Sequence, residues 1–434
     1  MSEIERTFDP SECIRGIQQL LVSDKKKIAF LFGAGTSLAK KEDGSPSVPA
    51  IGKMTELVEE DLRNDPDKGA LFASAIDEIQ EELSQQSLSF NVETLLSNVE
   101  EKIRIICGGT LNGLDKAALE EMDAKIRAKI QGIVSVHKSI EIGKEDLLIH
   151  HDFAKWICNA DRKYAVEIFT TNYDYLFEIG LEAVGIPYYD GFTGSYKPFF
   201  NPDSLEDINY LPQQTKLWKI HGSLGLHEEA IADSKKIIRM NSDTNDLLIY
   251  PSSLKYSNSK KQPYVAFMDR LNVFLKQDDA VLFVCGYSFG DDHINERILS
   301  ALSTNSTSHV FVMFYDIVWE KDHTGKDVKE NTFCLDSELA KIALKNRKIS
   351  VLSTRSAVIG GQYSTWKLKR EPDKEDSLNV SWYYDEDAPE NSEAELGQEH
   401  KGGEAWTGMG ELTLPDFSWF TRFLKNMIPK NEWE

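Results

Sequence analysis

Ile28-Ala29-Phe30-Leu31-Phe32-Gly33-Ala34-Gly35-Thr36-Ser37 is the stretch on which the fold turns. Its first half is an unbroken apolar run led in by Lys25-Lys26-Lys27. Such a run suits a strand buried on both faces of a parallel sheet. Its second half is glycine-rich and opens into a polar loop punctuated by Gly44, Pro46 and Pro49. Glycines at 33 and 35 let a backbone turn tightly and approach a pyrophosphate without a clash. A helix N-terminus directly after them would offer unpaired N–H groups to phosphates. Ser37 could add a hydroxyl donor. The third glycine of the dinucleotide fingerprint is missing, since Leu38 stands at that position. A tight turn with no ligand fits the same residues equally well.

The same arrangement recurs downstream. Residues 164–169 read as a strand and end in Thr170-Thr171-Asn172-Tyr173-Asp174. Residues 216–220 end in His221-Gly222-Ser223, and 280–285 end in Gly286-Tyr287-Ser288-Phe289-Gly290. Residues 310–314 and 348–352 supply a fifth and a sixth strand. Helical stretches lie between them. This pattern predicts an α/β fold, a Rossmann-like parallel sheet of about six strands covered by helices. In such sheets ligands bind beyond the carboxyl ends of the strands. The polar motifs all sit there.

Each motif has a chemical reading and a plainer one. Asn172 can orient a ribose hydroxyl or a water, because its amide both donates and accepts. Thr171 and Asp174 flank it, and Asp174 also suits a helix cap. His221 at a strand end is a general-base candidate near neutral pH, although a lone histidine is often structural. Its company at one sheet edge favours the functional reading. Gly286 and Ser288 could approach a ribose or phosphate. Asp291 and Asp292 look like helix-start residues. His293 beside Asp292 lacks further metal ligands nearby in sequence and reads as structural.

Residues 53–161 are predicted to be helical, with Ile76, Ile79, Leu83, Val92, Leu95, Leu96, Val99 and Ile103 at three- and four-residue steps. They fit either a subdomain with its own core or a cover for the sheet. We expect a catalytic domain over 1–370 carrying this insertion. Residues 371–404 are acidic and poor in apolar residues, which predicts a mobile loop. Residues 412–428 are aromatic again, and their rings suit a docking element or a return onto the sheet. No solenoid-period repeat is present.

A formal net charge of -22 over 434 residues argues against direct nucleic-acid binding, which needs a basic face. No apolar run is long enough to span a bilayer, and Met1 to Pro10 carry no apolar leader core. Cys13, Cys107, Cys158, Cys285 and Cys334 are scattered, as expected of reduced thiols in a cytoplasm.

Taken in order, these residues resemble the sirtuin superfamily. Gly33 to Ser37 match its Gly-Ala-Gly-x-Ser loop. Thr170 to Asp174 match Thr-Gln-Asn-x-Asp, with Thr171 in place of Gln. His221-Gly222 match the catalytic His-Gly, and Gly286 with Ser288 the Gly-x-Ser turn for the adenosine ribose. Bacterial sirtuin-like NADases of antiphage defence are more similar still. They share Thr-Asn-Tyr-Asp, Lys-x-His-Gly-Ser (Lys219 to Ser223) and Gly-Tyr-Ser-Phe-x-Asp-x-His-Ile-Asn (Gly286 to Asn295), and a stretch like Phe90 to Ser97. The four-cysteine zinc ribbon of deacylating sirtuins is absent, and Ser47 to Gly52 replace their Pro-Asp-Phe-Arg segment. The resemblance implies NAD as substrate, no zinc, and Asn172 and His221 as catalytic residues. Gly33, Ala34, Gly35, Ser37, Thr171, Asp174, Gly286 and Ser288 would contact the nucleotide. It implies NAD cleavage to nicotinamide and ADP-ribose, or its cyclic form, in abortive antiviral defence in the cytoplasm. A homo-oligomer is expected, and a HerA-like hexameric ATPase is a possible partner. A non-catalytic NAD or ADP-ribose sensor is the alternative, and protein deacylation ranks last.

Overall fold

Ten strands form one sheet: β1 (Thr7–Phe8), β2 (Lys27–Phe32), β3 (Glu167–Thr170), β4 (Tyr188–Tyr189), β5 (Thr215–Lys219), β6 (Ala280–Cys285), β7 (His309–Met313), β8 (Ile349–Leu352), β9 (Ser356–Ile359) and β10 (Gln362–Trp366). The computed structural model describes residues 6–160, 162–231, 234–240, 262–321, 327–373, 376–386 and 406–428. In space the strands run β1-β10-β9-β8-β7-β6-β2-β3-β5-β4. From β8 to β4 every neighbour pair is parallel. The β8–β9 and β9–β10 pairs are antiparallel.

The six expected strands are β2, β3, β5, β6, β7 and β8. Numbered in chain order they lie as 3-2-1-4-5-6, the order of a doubly wound dinucleotide-binding sheet. The order reverses between β2 and β6, and that is where such a sheet opens a crevice. The other four strands extend the sheet at its two sides. β3 starts three residues later than its apolar pattern suggests.

Alternation along the strands explains the two-sided burial. Ile28, Phe30 and Phe32 enter one core, while Ala29 and Leu31 enter the other. The first core is closed by α1 (Pro10–Val22), α7 (Ile149–Asn159), α8 (Leu176–Val184) and α12 (Phe417–Asn426). The second is closed by α9 (Tyr264–Leu275), α10 (Asp292–Thr304) and α11 (Glu338–Lys345). The five-residue helix Ala34–Leu38, α2, follows β2 directly.

The helical stretch divides into two parts. Helices α3 (Ile51–Arg63), α4 (Gly69–Gln85), α5 (Val92–Ile105) and α6 (Lys116–Val134) pack around a third core built on Phe72, Ile76, Ile79, Leu95, Leu96 and Ile126. α7 instead covers the sheet. The named apolar stripes, Ile76 to Ile103, thus face the third core and not the sheet. Asn91 in the Phe90 to Ser97 stretch has a local task. Its side chain caps α5 by accepting from the Glu93 and Thr94 N–H groups, and Thr94 returns the bond.

The aromatic segment near the other end of the chain packs on its own sheet. Phe417 lies 5.2 Å from Phe32, and Phe420 lies 6.2 Å from Phe30, ring centre to ring centre. Phe417, Phe420, Phe423 and Leu424 are buried, so these rings are not available as docking anchors. Lys425 on α12 and Lys41 after the glycine loop both reach Asp152 on α7, at 3.3 and 3.1 Å. The acidic stretch before it also differs from expectation. Leu378, Tyr383 and Tyr384 are buried, and Tyr384–Asp385 pairs with Glu411–Leu412. Residues 387–405 of the expected mobile loop lie outside the described residues. Because Phe420 fills the core beneath β2 and β6, Phe420→Ala should cost about 3–5 kcal/mol in urea unfolding. A loss below about 1 kcal/mol would show that α12 is not a core element. Among the described residues no helix is long and apolar enough to cross a membrane.

Candidate active site at the sheet's switch point

The glycine loops after β2 and β6 are pressed together, backbone on backbone. The Gly33 N–H donates to the Cys285 carbonyl at 3.1 Å, and the Gly35 N–H to the Gly286 carbonyl at 3.0 Å. A Cβ added at Gly33 would lie 2.4 Å from the Gly286 oxygen, and one at Gly35 would lie 2.7 Å from the Gly286 Cα. Gly286 itself has φ +67°. The glycines are therefore required by contact between the two loops. This corrects the expectation of a free helix N-terminus. The N–H groups of Gly35 and Thr36 already bond to the carbonyls of Gly286 and Gly33. Ala34 and Gly35 remain exposed at the crevice.

Asn172 is the pin of this arrangement. It is 7% exposed, and its Nδ2 lies 3.0 Å from the Gly33 carbonyl, 2.7 Å from Ser37 Oγ and 3.1 Å from Thr36 Oγ1. The Gly33 oxygen can only accept, so the NH2 end of the amide must face the loop. The side chain's remaining chemistry toward a ligand is its carbonyl oxygen. Ser37 Oγ in turn donates to Asp174 Oδ2 at 2.6 Å. Asp174 Oδ1 accepts the Leu176 N–H at 3.0 Å from one position before the helix cap, which is Tyr175, so Asp174 braces the turn into α8 and is not its N-cap. Thr171 is tied by its N–H to the Phe32 carbonyl.

Lys219 holds this turn from the next strand. Its buried ammonium bonds to the Asp174 carbonyl, to the Tyr173 carbonyl at 3.2 Å and to Glu178 Oε1 at 2.8 Å. Burial pushes the Glu178 carboxyl up, against the pull of Lys219. Behind Asp174, burial drives the His150 imidazole down to about 4, opposed by the Asp174 charge. His150 therefore stays neutral near pH 7, edge-on to Phe177.

His221 ends β5 and is 5% exposed. Its Nε2 lies 3.0 Å from Asp291 Oδ2. Asp291 does start a helix, as its position suggests, and its Oδ1 accepts the His293 and Ile294 N–H groups of α10. The pairing with His221 is not apparent from the motif. Ser288 is exposed on the same loop. A cleft of about 940 Å³ is lined by Tyr175, Glu178, Tyr188, Lys219, Ser223 and Arg239 among others, and it shares none of its lining with Gly33, Asn172, His221 or Ser288. Its volume suits a small-molecule site.

Gly33, Gly35, Ser37, Asn172, Asp174 and Gly286 thus form one bonded cluster at the switch point, with Ala34 exposed within its first loop and Thr171 tied to the end of β2. His221 and Ser288 join it through the loop that carries Asp291. Thr36, Lys219 and Asp291 support the cluster; motif reading names Lys219 and Asp291 but gives none of the three this supporting role. Among the described residues no group of three or more His, Cys, Asp or Glu side chains is placed to hold a metal ion.

Residues 166–336 match the family model of the SIR2-like domain. The match takes in Asn172, His221, Gly286 and Ser288 and ends before β8. It supports a sirtuin-type, NAD-related role for a chain that carries a Rossmann-like sheet. The chain matches none of the curated proteins.

Proposed function

We propose that the chain is an NAD glycohydrolase that cleaves NAD to nicotinamide and ADP-ribose. The observation that carries this reading is the joining of Asn172, Ser37 and both glycine loops at the switch point of a 3-2-1-4-5-6 sheet. The ADP half lies over Ala34, Gly35 and Ser288. The nicotinamide ribose lies toward Asn172 and His221.

The bond to be broken joins ribose C1′ to a pyridinium nitrogen. Its electron pair leaves with nicotinamide, which departs neutral, so no general acid is required. The ribosyl centre becomes oxocarbenium-like and is stabilised by oriented acceptors. Asn172 Oδ1 faces this centre or a ribose hydroxyl, its NH2 being held by the loop. His221 takes the proton from the attacking oxygen. Water as nucleophile gives ADP-ribose, and a hydroxyl of the ligand itself gives a cyclic product.

Purified protein incubated with NAD should release nicotinamide. His221→Ala and Asn172→Ala should each lower kcat by at least about 100-fold. Wild-type turnover in either variant would remove that residue from the mechanism. One observation favours a second reading, binding without turnover. The Asn172 amide is engaged inside the protein. Calorimetric NAD binding with no nicotinamide released over hours, with and without partner subunits, would support it.

The biological setting follows from the resemblance. Unchecked NAD cleavage would kill the host cell, so an off-state is required. Homo-oligomerisation or a partner such as a HerA-like ATPase would supply it in antiphage defence. Nicotinamide release by the isolated chain at the partner-bound rate would argue against such control.

A further inference from the structure

We propose that Asp291 is the positioning residue for His221, holding its imidazole as the Nε2–H tautomer and so placing the ring's lone pair on Nδ1. The proposal rests on the reading of His221 as the base. It starts from a feature that helix capping does not explain. Capping α10 occupies only Oδ1, through the His293 and Ile294 N–H groups. The other oxygen is turned to His221 Nε2 at 3.0 Å, with both side chains more than nine-tenths buried.

The reach is long. Asp291 follows β6, His221 follows β5, and β2 and β3 lie between them. Three strand spacings are about 14 Å. The loop that spans this distance is braced. Tyr287 Oη lies 3.2 Å from the Asp291 carbonyl and 3.1 Å from Asn295 Oδ1, and Asn295 Nδ2 donates to the Phe289 carbonyl at 2.7 Å. Phe289 is held at φ +59°, an unfavourable conformation for an aromatic residue. A loop strained and braced in this way delivers Asp291 to a fixed place.

A carboxylate only accepts, so the hydrogen of the contact belongs to Nε2. In the neutral ring Nδ1 then carries the lone pair. The same geometry dictates what an amide would do. In Asp291→Asn the carbonyl oxygen would remain on the two helix N–H groups, because asparagine caps as well as aspartate. Its NH2 would then face Nε2, which would have to accept. The tautomer would invert while the helix cap stayed intact.

Two measurements on the full chain test this. In 15N-histidine-labelled wild-type protein, with His221 assigned by difference against His221→Gln, Nε2 should show the protonated-type shift and Nδ1 the lone-pair type. The reverse assignment overturns the proposal. Asp291→Asn should invert the two shifts, leave the thermal midpoint and NAD KM near wild type, and lower kcat on the order of a thousandfold or more. A kcat within threefold of wild type overturns it. Should the wild-type chain not cleave NAD, the catalytic reading fails. The wild-type shifts still decide the pairing, and they do not depend on Asp291→Asn folding.

Discussion

A Gly33→Ala chain should lose about 3 kcal/mol of stability, and with it any ligand binding at the switch point. The added carbon would sit 2.4 Å from the Gly286 carbonyl oxygen and 2.7 Å from the Tyr287 Cα. Both obstacles are backbone, so no side-chain rotation relieves them. The loops must part, and the Gly33 and Gly35 hydrogen bonds across the crevice go with them. Gly52→Ala is the matching control. Gly52 lies within α3, and its added carbon meets nothing within 4 Å. Helix propensity then gives a gain of up to about 1 kcal/mol. Urea unfolding of both variants reads the contrast. If Gly33→Ala unfolds at the wild-type midpoint, the packed contact between the loops is wrong.

Removing one partner of the ion pair beneath the sheet should cost more. Glu167 opens β3 and accepts from Arg270 at 2.6 and 3.0 Å and from Trp218 Nε1 at 2.7 Å. Arg270 is 3% exposed. Glu167→Ala leaves a buried guanidinium and an indole N–H without their acceptor, for a loss of about 3–5 kcal/mol. Replacing both ends with methionine removes the unpaired buried charge, leaving only the Trp218 indole N–H without its acceptor, and should cost clearly less than the Glu167→Ala change alone. Chemical unfolding of the two variants gives the comparison. A double variant as unstable as Glu167→Ala would mean that packing around Arg270, not its charge, sets the loss.

How much of this was legible follows from the range of each interaction. β2, β6 and β7 are visible because each carries an apolar run of at least four residues, whereas β3, β5 and β8 mix polar residues (Glu167, Lys216, Ser350) with apolar ones and are read from the strand-like residues around these. β1 and β4 have only two residues each, too few to show a period. β9 and β10 form a hairpin turned by Gly360-Gly361, both at positive φ, a sequence cue that reading for parallel strands passes over. The stripe at Phe417, Phe420 and Leu424 marks a helix, but nothing local says that Phe30 and Phe32 await it. The site divides in the same way. Asp174 and Asp291 read as caps because capping is local. The bond from Ser37 to Asp174 joins residues 137 apart, and that from His221 to Asp291 joins residues 70 apart. The roles those bonds create are properties of the folded sheet.

The strand order also has a consequence for synthesis. The partner of β2, β6, and the loop ending at Asp291 emerge about 250 residues after it. Contacts of such high sequence separation form slowly, after the chain between them is in place. A nascent chain still short of Asp291 has its glycine loop but lacks both the Gly286 contact and the carboxylate beside His221. A ribosome that has not yet passed Asp291 therefore carries a switch point with only one of its two glycine loops. A ligand that needs both loops finds no seat there until the second has been made.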